Sequence, residues 1–404
     1  EHPLQLIAGF NYGVSCPSNC PLAGVISSMW LDEVGNLFFI DNSRGSIYKV
    51  EDSMISLYAG GLTSLVQTGN VIYERSETVF TDGVSLSGTG IGRDTALYVA
   101  ERALGRIRLV TRLGSVSLTN ESSFICAPFD YVGPVGAVRF CNVDRLSVFN
   151  DLLAFTDSQF VVRILLLDLG TVQTLVGSVD VAPFNLGNIS MYERLGEVTT
   201  LTFSMYGLYF YSSAAKSILS TDGYLYVGNT TYGAAIIGSI ALTTPITVAT
   251  ASCVDAHGNL YFSQQDGTVL VAVIDISGMA STVEHYVGVS GQSAWSGEHV
   301  DARSSSVGSV TGCQFDTNGY MYFIESSTRI RRVSNLAPSS VPTSQPTSNP
   351  TQPTSMPSSQ PTFSKPADVM NTYAGISTDN PWGDGCSSLC QRISPRSIVQ
   401  DSQG

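Results

Sequence analysis

Cysteine is the residue type in this sequence whose number and spacing point most directly to chemistry. The chain contains eight cysteines: Cys16, Cys20, Cys126, Cys141, Cys253, Cys313, Cys386 and Cys390. An even number suits disulfide bonding in an oxidising compartment. A zinc site needs four ligands, and neither four-apart pair has a matching second pair nearby in the sequence. The sequence therefore predicts disulfides. Cys126 and Cys141 are expected partners, whereas Cys253 and Cys313 are either bonded or two buried thiols.

Histidine and acidic residues give no catalytic pattern. The sequence holds no nucleophile elbow, metalloprotease helix, phosphate-binding loop or dinucleotide fingerprint. The four histidines are scattered over a terminus, a turn, a strand and a loop: His2, His257, His285 and His299. One acidic residue recurs at a strand turn, at Asp32, Asp255, Asp316 and Asp401. Such repetition indicates turn capping through local hydrogen bonds rather than calcium binding. We therefore expect no catalytic residue, no metal and no cofactor.

Asparagine, serine and threonine provide candidate attachment points for glycans. N-glycosylation sequons begin at Asn120, Asn188 and Asn229. A segment with a near-tetrapeptide Pro-Thr-Ser repeat adds candidate O-glycosylation sites. These sites are Thr343, Ser344, Thr347, Ser348, Thr351, Thr354, Ser355, Ser358, Ser359 and Thr362. Covalently attached glycans and an extracellular location, secreted or at the cell surface, are the corresponding expectations.

Composition narrows the class of protein and of partner. The 404 residues are 43% hydrophobic and only 13% charged, with a net charge of -13. Nucleic acids and anionic membranes need clustered Lys and Arg, so neither is an expected partner. The longest uncharged stretch, residues 232–254, is rich in Gly, Thr, Ser and Pro. We interpret it as β structure rather than as a membrane span.

Three apolar runs separated by two turns recur along the chain, and these are the elements that must position any site. The clearest copy is residues 310–333, in which Asp316-Thr317-Asn318-Gly319 makes a tight turn. A fourth strand precedes each copy, at residues 4–9, 55–60, 116–118, 172–177, 234–238 and 283–288. Six copies of a four-stranded unit predict an all-β fold, a six-bladed β-propeller. The aromatic second strands are expected to form the core between blades.

The best copies, residues 7–50, 287–333 and 373–404, resemble the NHL repeat in their Ala-Gly, Asp-x-x-Gly-Asn and Arg-Ile-Arg patterns. The resemblance implies a six-bladed propeller in which the opening strand adds to the last blade. Leu4, Leu6 and Ile7 are accordingly predicted to close the ring beside Arg329, Arg331 and Val333. Propeller lyases and hydrolases of similar fold hold metal ligands in the central channel, and no such set is found here.

The chain divides into three predicted parts. Residues 1–335 form the propeller, 336–366 a linker of polyproline-II type resembling those of secreted algal and protist surface proteins, and 367–404 the first half of another repeat. A stiffened linker of this composition spans about 80 Å at about 3.1 Å per residue. The outer strand of the half-repeat, Asn371, Thr372, Tyr373 and Ala374, is predicted to pair with a following or partner propeller.

These features favour a non-enzymatic extracellular structural glycoprotein, a propeller bead joined by a glycosylated stalk into an array or fibre. Its partners are then other copies of itself or a following propeller in the same chain. Two alternatives remain open at this point. One is a secreted propeller that binds protein or glycan through the loops at residues 61–81 and 290–306. The other is a metal-dependent propeller lyase or lactonase.

Overall fold

Strands dominate the structure, a computed structural model that describes residues 24–51, 54–60, 78–120, 126–158, 160–177, 195–221, 225–228, 240–274, 279–292, 300–334 and 369–375. In these residues the strands form six sheets. The strands of blades 1 to 3 are β1 Ile26–Leu31, β2 Leu37–Asp41, β3 Ser46–Glu51, β4 Met54–Ala59, β5 Gly83–Thr89, β6 Ala96–Glu101, β7 Arg106–Thr111, β8 Gly114–Ser117, β9 Gly133–Pro134, β10 Val143–Phe149, β11 Leu152–Asp157, β12 Val161–Leu166 and β13 Thr171–Val176. Those of blades 4 to 6 are β14 Val198–Ser204, β15 Gly207–Ser212, β16 Ser217–Ser220, β17 Leu225–Val227, β18 Ala249–Val254, β19 Leu260–Gln264, β20 Val269–Ile274, β21 Ala280–Val287, β22 Val300–Asp301, β23 Val310–Phe315, β24 Met321–Glu325, β25 Arg329–Ser334 and β26 Val369–Gly375.

Each blade is an antiparallel meander whose first strand is innermost, which confirms the predicted six-bladed all-β propeller. The turn between the first two strands explains the repeated aspartate. Asp32 Oδ1 accepts hydrogen bonds from the backbone N–H groups of Val34 and Asn36, at 3.1 and 2.7 Å. Gly35 takes a left-handed conformation, φ 87°, which completes the turn. Asp255 and Asp316 make the same bonds in blades 5 and 6, so these three aspartates cap turns.

Apolar side chains fill every interface between neighbouring blades. Six buried clusters lie one to each interface, and the cluster between blades 6 and 1 joins Ile26 and Leu31 to Tyr322 and Ile330. The second-strand aromatics lie in these clusters as predicted; Phe155, for example, is fully buried. Because blades 6 and 1 share a cluster, the ring of blades closes within residues 24–334.

Side chains of the innermost strands also tie neighbouring blades together by hydrogen bonds. Five interfaces use a hydroxyl group and the sixth uses the amide oxygen of Gln314. One bond for each interface, in ring order, is Leu86 N–H to Ser28 Oγ, Leu146 N–H to Ser85 Oγ, Phe203 N–H to Ser147 Oγ, Thr202 Oγ1 to Ser252 O, Thr250 Oγ1 to Val310 O and Leu31 N–H to Gln314 Oε1. These bonds satisfy backbone groups at the centre of the ring without using charged residues.

The sixth blade differs from the prediction in the strand that completes it. β26 pairs antiparallel with β25, from Arg329↔Gly375 to Ser334↔Val369. The edge assigned to Leu4, Leu6 and Ile7 is therefore occupied by Val369–Gly375, and that assignment is corrected; residues 4–7 lie outside the described residues. The inter-propeller strand predicted at residues 371–374 likewise pairs within its own chain. Both segments end in Ala-Gly, and edge pairing uses main-chain groups, so the sequence pattern did not distinguish them.

Two further departures concern outer strands. The outer strand of blade 4 is Leu225–Val227, paired with Ser217–Ser220, rather than the predicted residues 234–238, which lie outside the described residues. In blade 3 the connection from blade 2 folds back as β9 and pairs outside β13 at Thr171↔Pro134. Blades 3 and 6 therefore each carry a fifth strand that covers the outer edge of the blade.

Candidate functional site: the outer edge of the sixth blade

The outer edge of blade 6 is built from parts of the chain that are far apart in sequence. β25 lies between β24 and β26, and β22 pairs with the far side of β26 at Val300↔Met370 and Asp301↔Val369. The blade thus depends on a strand that enters after the Pro-Thr-Ser segment. Main-chain hydrogen bonds hold β26 against β25. A strand of suitable register from the same chain or from another chain can therefore make the same hydrogen bonds.

The pairing also fixes where the Pro-Thr-Ser segment begins and ends. Ser334 and Val369 are directly opposite each other in adjacent antiparallel strands. The 34 residues between them, 335 to 368, therefore leave and re-enter blade 6 at the same end of the blade. Val333 is paired with Met321, next to the turn at Asp316–Gly319, so this end lies on the face that carries the turns between first and second strands. In this chain the segment connects neighbouring strands instead of separating two beads.

Charged side chains behind this edge are buried. Glu325 lies 3.7 Å from Arg329 and 3.4 Å from Arg331, and all three side chains are almost inaccessible to solvent. Arg332 lies over the ring of Tyr320, 4.9 Å from its centroid. Buried pairs of this kind hold Glu325, the last residue of the second strand, against the third strand, which gives β26 a rigid acceptor strand.

The same arrangement recurs in blades 2 and 3 as an acid–arginine–hydroxyl set, which sequence reasoning missed. The carboxylate is the last residue of the second strand. The arginine lies on the third strand, paired with the residue two positions before that carboxylate. A serine or threonine on the fourth strand is the arginine's pairing partner on the other side. The sets are Glu101, Arg108 and Ser117; Asp157, Arg163 and Thr174; Glu325, Arg331 and Thr372. The Arg-Ile-Arg pattern of the third strands in blades 2 and 6 was the available sequence signal; the third strand of blade 3, Val161–Leu166, lacks it.

In blade 3 this set is fully satisfied. Arg163 Nε donates to Asp157 Oδ2 at 2.9 Å and Nη1 to Thr174 Oγ1 at 2.9 Å. Its remaining N–H groups reach backbone carbonyls of residues 127–129, including Pro128 O at 2.9 Å. Those carbonyls belong to the connection between blades 2 and 3. A buried guanidinium therefore holds that connection over the blade.

Two of the predicted disulfides are present. Cys126–Cys141 closes the connection that caps Arg163, and Cys253–Cys313 joins the innermost strands of blades 5 and 6. Cys16, Cys20, Cys386 and Cys390 lie outside the described residues, as do Asn188, Asn229 and all ten predicted O-glycosylation sites. Asn120 follows the outer strand of blade 2, Gly114–Ser117, and its backbone N–H donates to Val138 O at 2.8 Å.

The two described histidines lie apart, on a turn and on an outer strand of blade 5, whereas His2 and His299 lie outside the described residues. His257 is exposed at a turn of blade 5, and His285 lies on β21 with its ring nitrogen 2.5 Å from Gly288 O. Within the described ranges no group of three or more His, Cys, Asp or Glu side chains is placed to hold a metal ion. None of the helices in those ranges has the length and apolar character needed to cross a membrane.

Comparison with known proteins supports the architecture. The sequence matches no protein-family model and no curated protein. Among solved structures, a structural-genomics protein of unknown function from Bacteroides thetaiotaomicron superposes with a TM-score of 0.54 at 12% identity, over 80% of this chain and 73% of that one. Streptogramin B lyase gives 0.44 at 12%, over 78% and 92%. Virginiamycin B lyase from Staphylococcus aureus gives 0.40 at 13%, over 76% and 79%. At 12% identity the first of these structures indicates a similar fold only.

Proposed function

We propose that this protein is a non-enzymatic extracellular structural glycoprotein, a propeller of NHL type that is joined to further copies into an array or fibre. The joint is the outer edge of blade 6. The observation that supports this proposal is the pairing of β25 with a strand that lies beyond a 34-residue Pro-Thr-Ser segment. The same strand, supplied by a neighbouring copy, satisfies the same main-chain groups.

The pairing within one chain and the pairing between chains differ in the path of the linker, not in the contacts at the edge. Exchange of an identical element between copies is a low-cost route to assembly for that reason. Proline at about every fourth position extends the segment, and bringing the ends of a stiff segment side by side costs more than closing a flexible loop. Stiffness of the linker therefore shifts the balance towards exchange, in which the linker runs from one copy to the next.

Compartment and glycosylation belong to the same proposal. Disulfides persist in oxidising compartments, and two are formed here. Segments rich in Ser, Thr and Pro are typical of O-glycosylated stalks, and attached sugars extend such segments further. Glycans on residues 343–362 therefore add to the stiffness that favours exchange.

Single-cysteine variants of the full chain test exchange directly. Ser334→Cys and Val369→Cys introduce thiols at opposed positions of β25 and β26. The two variants are purified separately under reducing conditions, mixed, oxidised and run on non-reducing gels. A disulfide-linked dimer in the mixture is expected, since each copy then offers β26 to the other. Thr317→Cys, exposed at the turn of the same blade, replaces Ser334→Cys in the matched control and should give no dimer with Val369→Cys.

The variant that carries both Ser334→Cys and Val369→Cys in one chain verifies the register. If this double variant oxidises within the chain while the mixture yields only monomers at every protein concentration, the edge does not exchange and the proposed function fails. Electron microscopy of native material gives the second readout, with beads at regular spacing expected.

A further inference from the structure

An open cleft lies between blades 1 and 2, on the face that carries the turns between first and second strands. Its volume is about 410 Å³, which falls within the range of small-molecule sites. β3 and β4 of blade 1 line one side of the cleft with Lys49, Ser56 and Tyr58. Two turns of blade 2 line the other side with Gly92 and Arg112. The interface between these blades is therefore filled near its centre by an apolar cluster and open towards its outer rim.

Lys49 places a charge at a strand position that blades 2, 3 and 5 fill with an apolar residue. It is paired with Phe38 of the second strand, and its ammonium group lies 5.8 Å from the centroid of the Phe38 ring. The residues at the same register position are Leu109, Ile164 and Val271. A blade forms with an apolar residue here, so packing alone gives no reason for a lysine.

The rim of the cleft combines cationic donors with a carboxylate acceptor. Arg112 is exposed, and its guanidinium makes no hydrogen bond or ion pair with the residues that the structure describes. Lys49 Nζ lies 2.8 Å from Glu51 Oε1, and the Glu51 side chain is 54% exposed at the rim. Arginine binds carboxylates through two parallel N–H groups, and an ionised glutamate only accepts hydrogen bonds. A ligand that satisfies both carries an anionic group together with hydroxyl groups.

Tyr58 gives the cleft an aromatic wall. It is half-buried, and its ring packs edge-on against Phe38, with the two ring centroids 4.9 Å apart. A ring held in this way offers apolar contact area at a low cost in side-chain entropy. A sugar ring has an apolar C–H face and hydroxyl groups at its edge. It therefore matches the ring of Tyr58 and the carboxylate of Glu51 at once.

From these contacts we propose that the cleft binds an acidic sugar, a pyranose that carries a carboxylate, either free or as one unit of a polysaccharide. The carboxylate accepts hydrogen bonds from Arg112 and Lys49, and the hydroxyl groups donate to Glu51. The apolar face of the sugar ring lies against Tyr58. This binding is independent of strand exchange at blade 6, so either proposal stands if the other fails.

Saturation-transfer NMR with the full chain measures the binding of sodium glucuronate and sodium galacturonate. At least one of them is expected to bind with a Kd of about 1 mM, as suits a small polar ligand in an open cleft. The matching neutral sugar, glucose or galactose, lacks the carboxylate and should bind at least about tenfold more weakly. Inorganic sulfate, added as a competitor, should displace the acidic sugar only in large excess. No binding of either acidic sugar overturns the proposal, as does equal binding of the neutral sugar or displacement by sulfate at equal concentration.

A trimer of galacturonate separates the two sources of the ligand. Binding of the trimer more tightly than the monomer assigns the cleft to a polysaccharide. Equal binding of the trimer and the monomer assigns it to free sugar acids. Failure of the trimer to bind where the monomer does also assigns the cleft to the free acid, since a linked unit then cannot enter.

Variants locate the binding in the cleft. Arg112→Ala removes the exposed guanidinium, and Lys49→Leu introduces the residue type that blade 2 carries at this position. Each should weaken binding of the acidic sugar at least about tenfold and leave the Tm within about 2 °C of the wild type. Arg303→Ala, which removes an exposed arginine of blade 6, is the matched control and should bind as the wild type does. Wild-type affinity in Arg112→Ala, or a tenfold loss in Arg303→Ala, overturns the proposal. If Lys49→Leu does not fold, Arg112→Ala decides alone.

Discussion

The disulfide between blades 5 and 6 is predicted to contribute more to stability than the disulfide in the connection before blade 3. Cys253–Cys313 joins residues 60 apart in sequence, whereas Cys126–Cys141 joins residues 15 apart. The perturbation is a pair of double variants, Cys253→Ala/Cys313→Ala and Cys126→Ala/Cys141→Ala, so that neither variant is left with an unpaired thiol at its site.

The chain-entropy relation sets the size of the effect. It gives about 4.3 kcal/mol for a 60-residue loop and about 3 kcal/mol for a 15-residue loop, since the unfolded chain gains more freedom when the longer loop opens. Cys253 is also buried in the apolar cluster between blades 5 and 6, so its truncation adds a small packing loss to the first variant. The free energy of unfolding is therefore expected to fall by roughly 1 kcal/mol more for Cys253→Ala/Cys313→Ala.

Urea unfolding followed by intrinsic fluorescence measures both losses, with the m-value fitted separately for each variant, because an unfolded chain without the cross-link exposes more surface. Two results would refute the reasoning. One is a loss below about 1 kcal/mol for the cross-blade variant, which would mean that the interface holds without the bond. The other is a larger loss for Cys126→Ala/Cys141→Ala, which would show that capping of Arg163 outweighs loop length.

Two further predictions follow from local geometry. Gly105 and Gly92 share the same left-handed conformation, φ 58°, but a Cβ on Gly105 lies 1.8 Å from Phe140 O whereas one on Gly92 meets nothing within 4 Å. Gly92→Ala should cost about 1 kcal/mol and Gly105→Ala at least about 2 kcal/mol more, as measured by urea unfolding; equal losses would contradict the clash. Asp266 is partly buried, which raises its pKa, but bonds from Ser290 Oγ and Thr268 Oγ1 and from backbone N–H groups outweigh burial and lower the pKa below its ordinary value of 3.8. The stabilising effect of ionised Asp266 is thus present above pH 3.8 and is lost as the pH falls through the lowered pKa. The difference in Tm between the wild type and Asp266→Asn should therefore shrink on acidification. A difference in Tm that grows would contradict this assignment.

Local sequence signals determined the blade pattern of this protein. Asp32, Asp255 and Asp316 cap turns because a short carboxylate reaches backbone N–H groups two and four residues ahead, a contact encoded within five residues. Apolar and polar residues alternate along the strands next to those turns, and this alternation determines which face of each strand is buried. The core between blades was therefore also predictable. The pairing of Cys126 with Cys141 was expected, but the Cys253–Cys313 bond required neighbouring blades to bring the two innermost strands together.

Only the tertiary structure decided which strand completes blade 6 and which backbone carbonyls accept hydrogen bonds from Arg163. The segments at residues 4–9 and 370–375 carry the same Ala-Gly ending, and an open edge recognises main-chain groups that every sequence possesses. Arg163 donates to Pro128 O, a carbonyl 35 residues earlier in the connection between blades 2 and 3. Such contacts join residues that are distant along the chain, and they depend on how each connection is laid over its blade rather than on any local pattern.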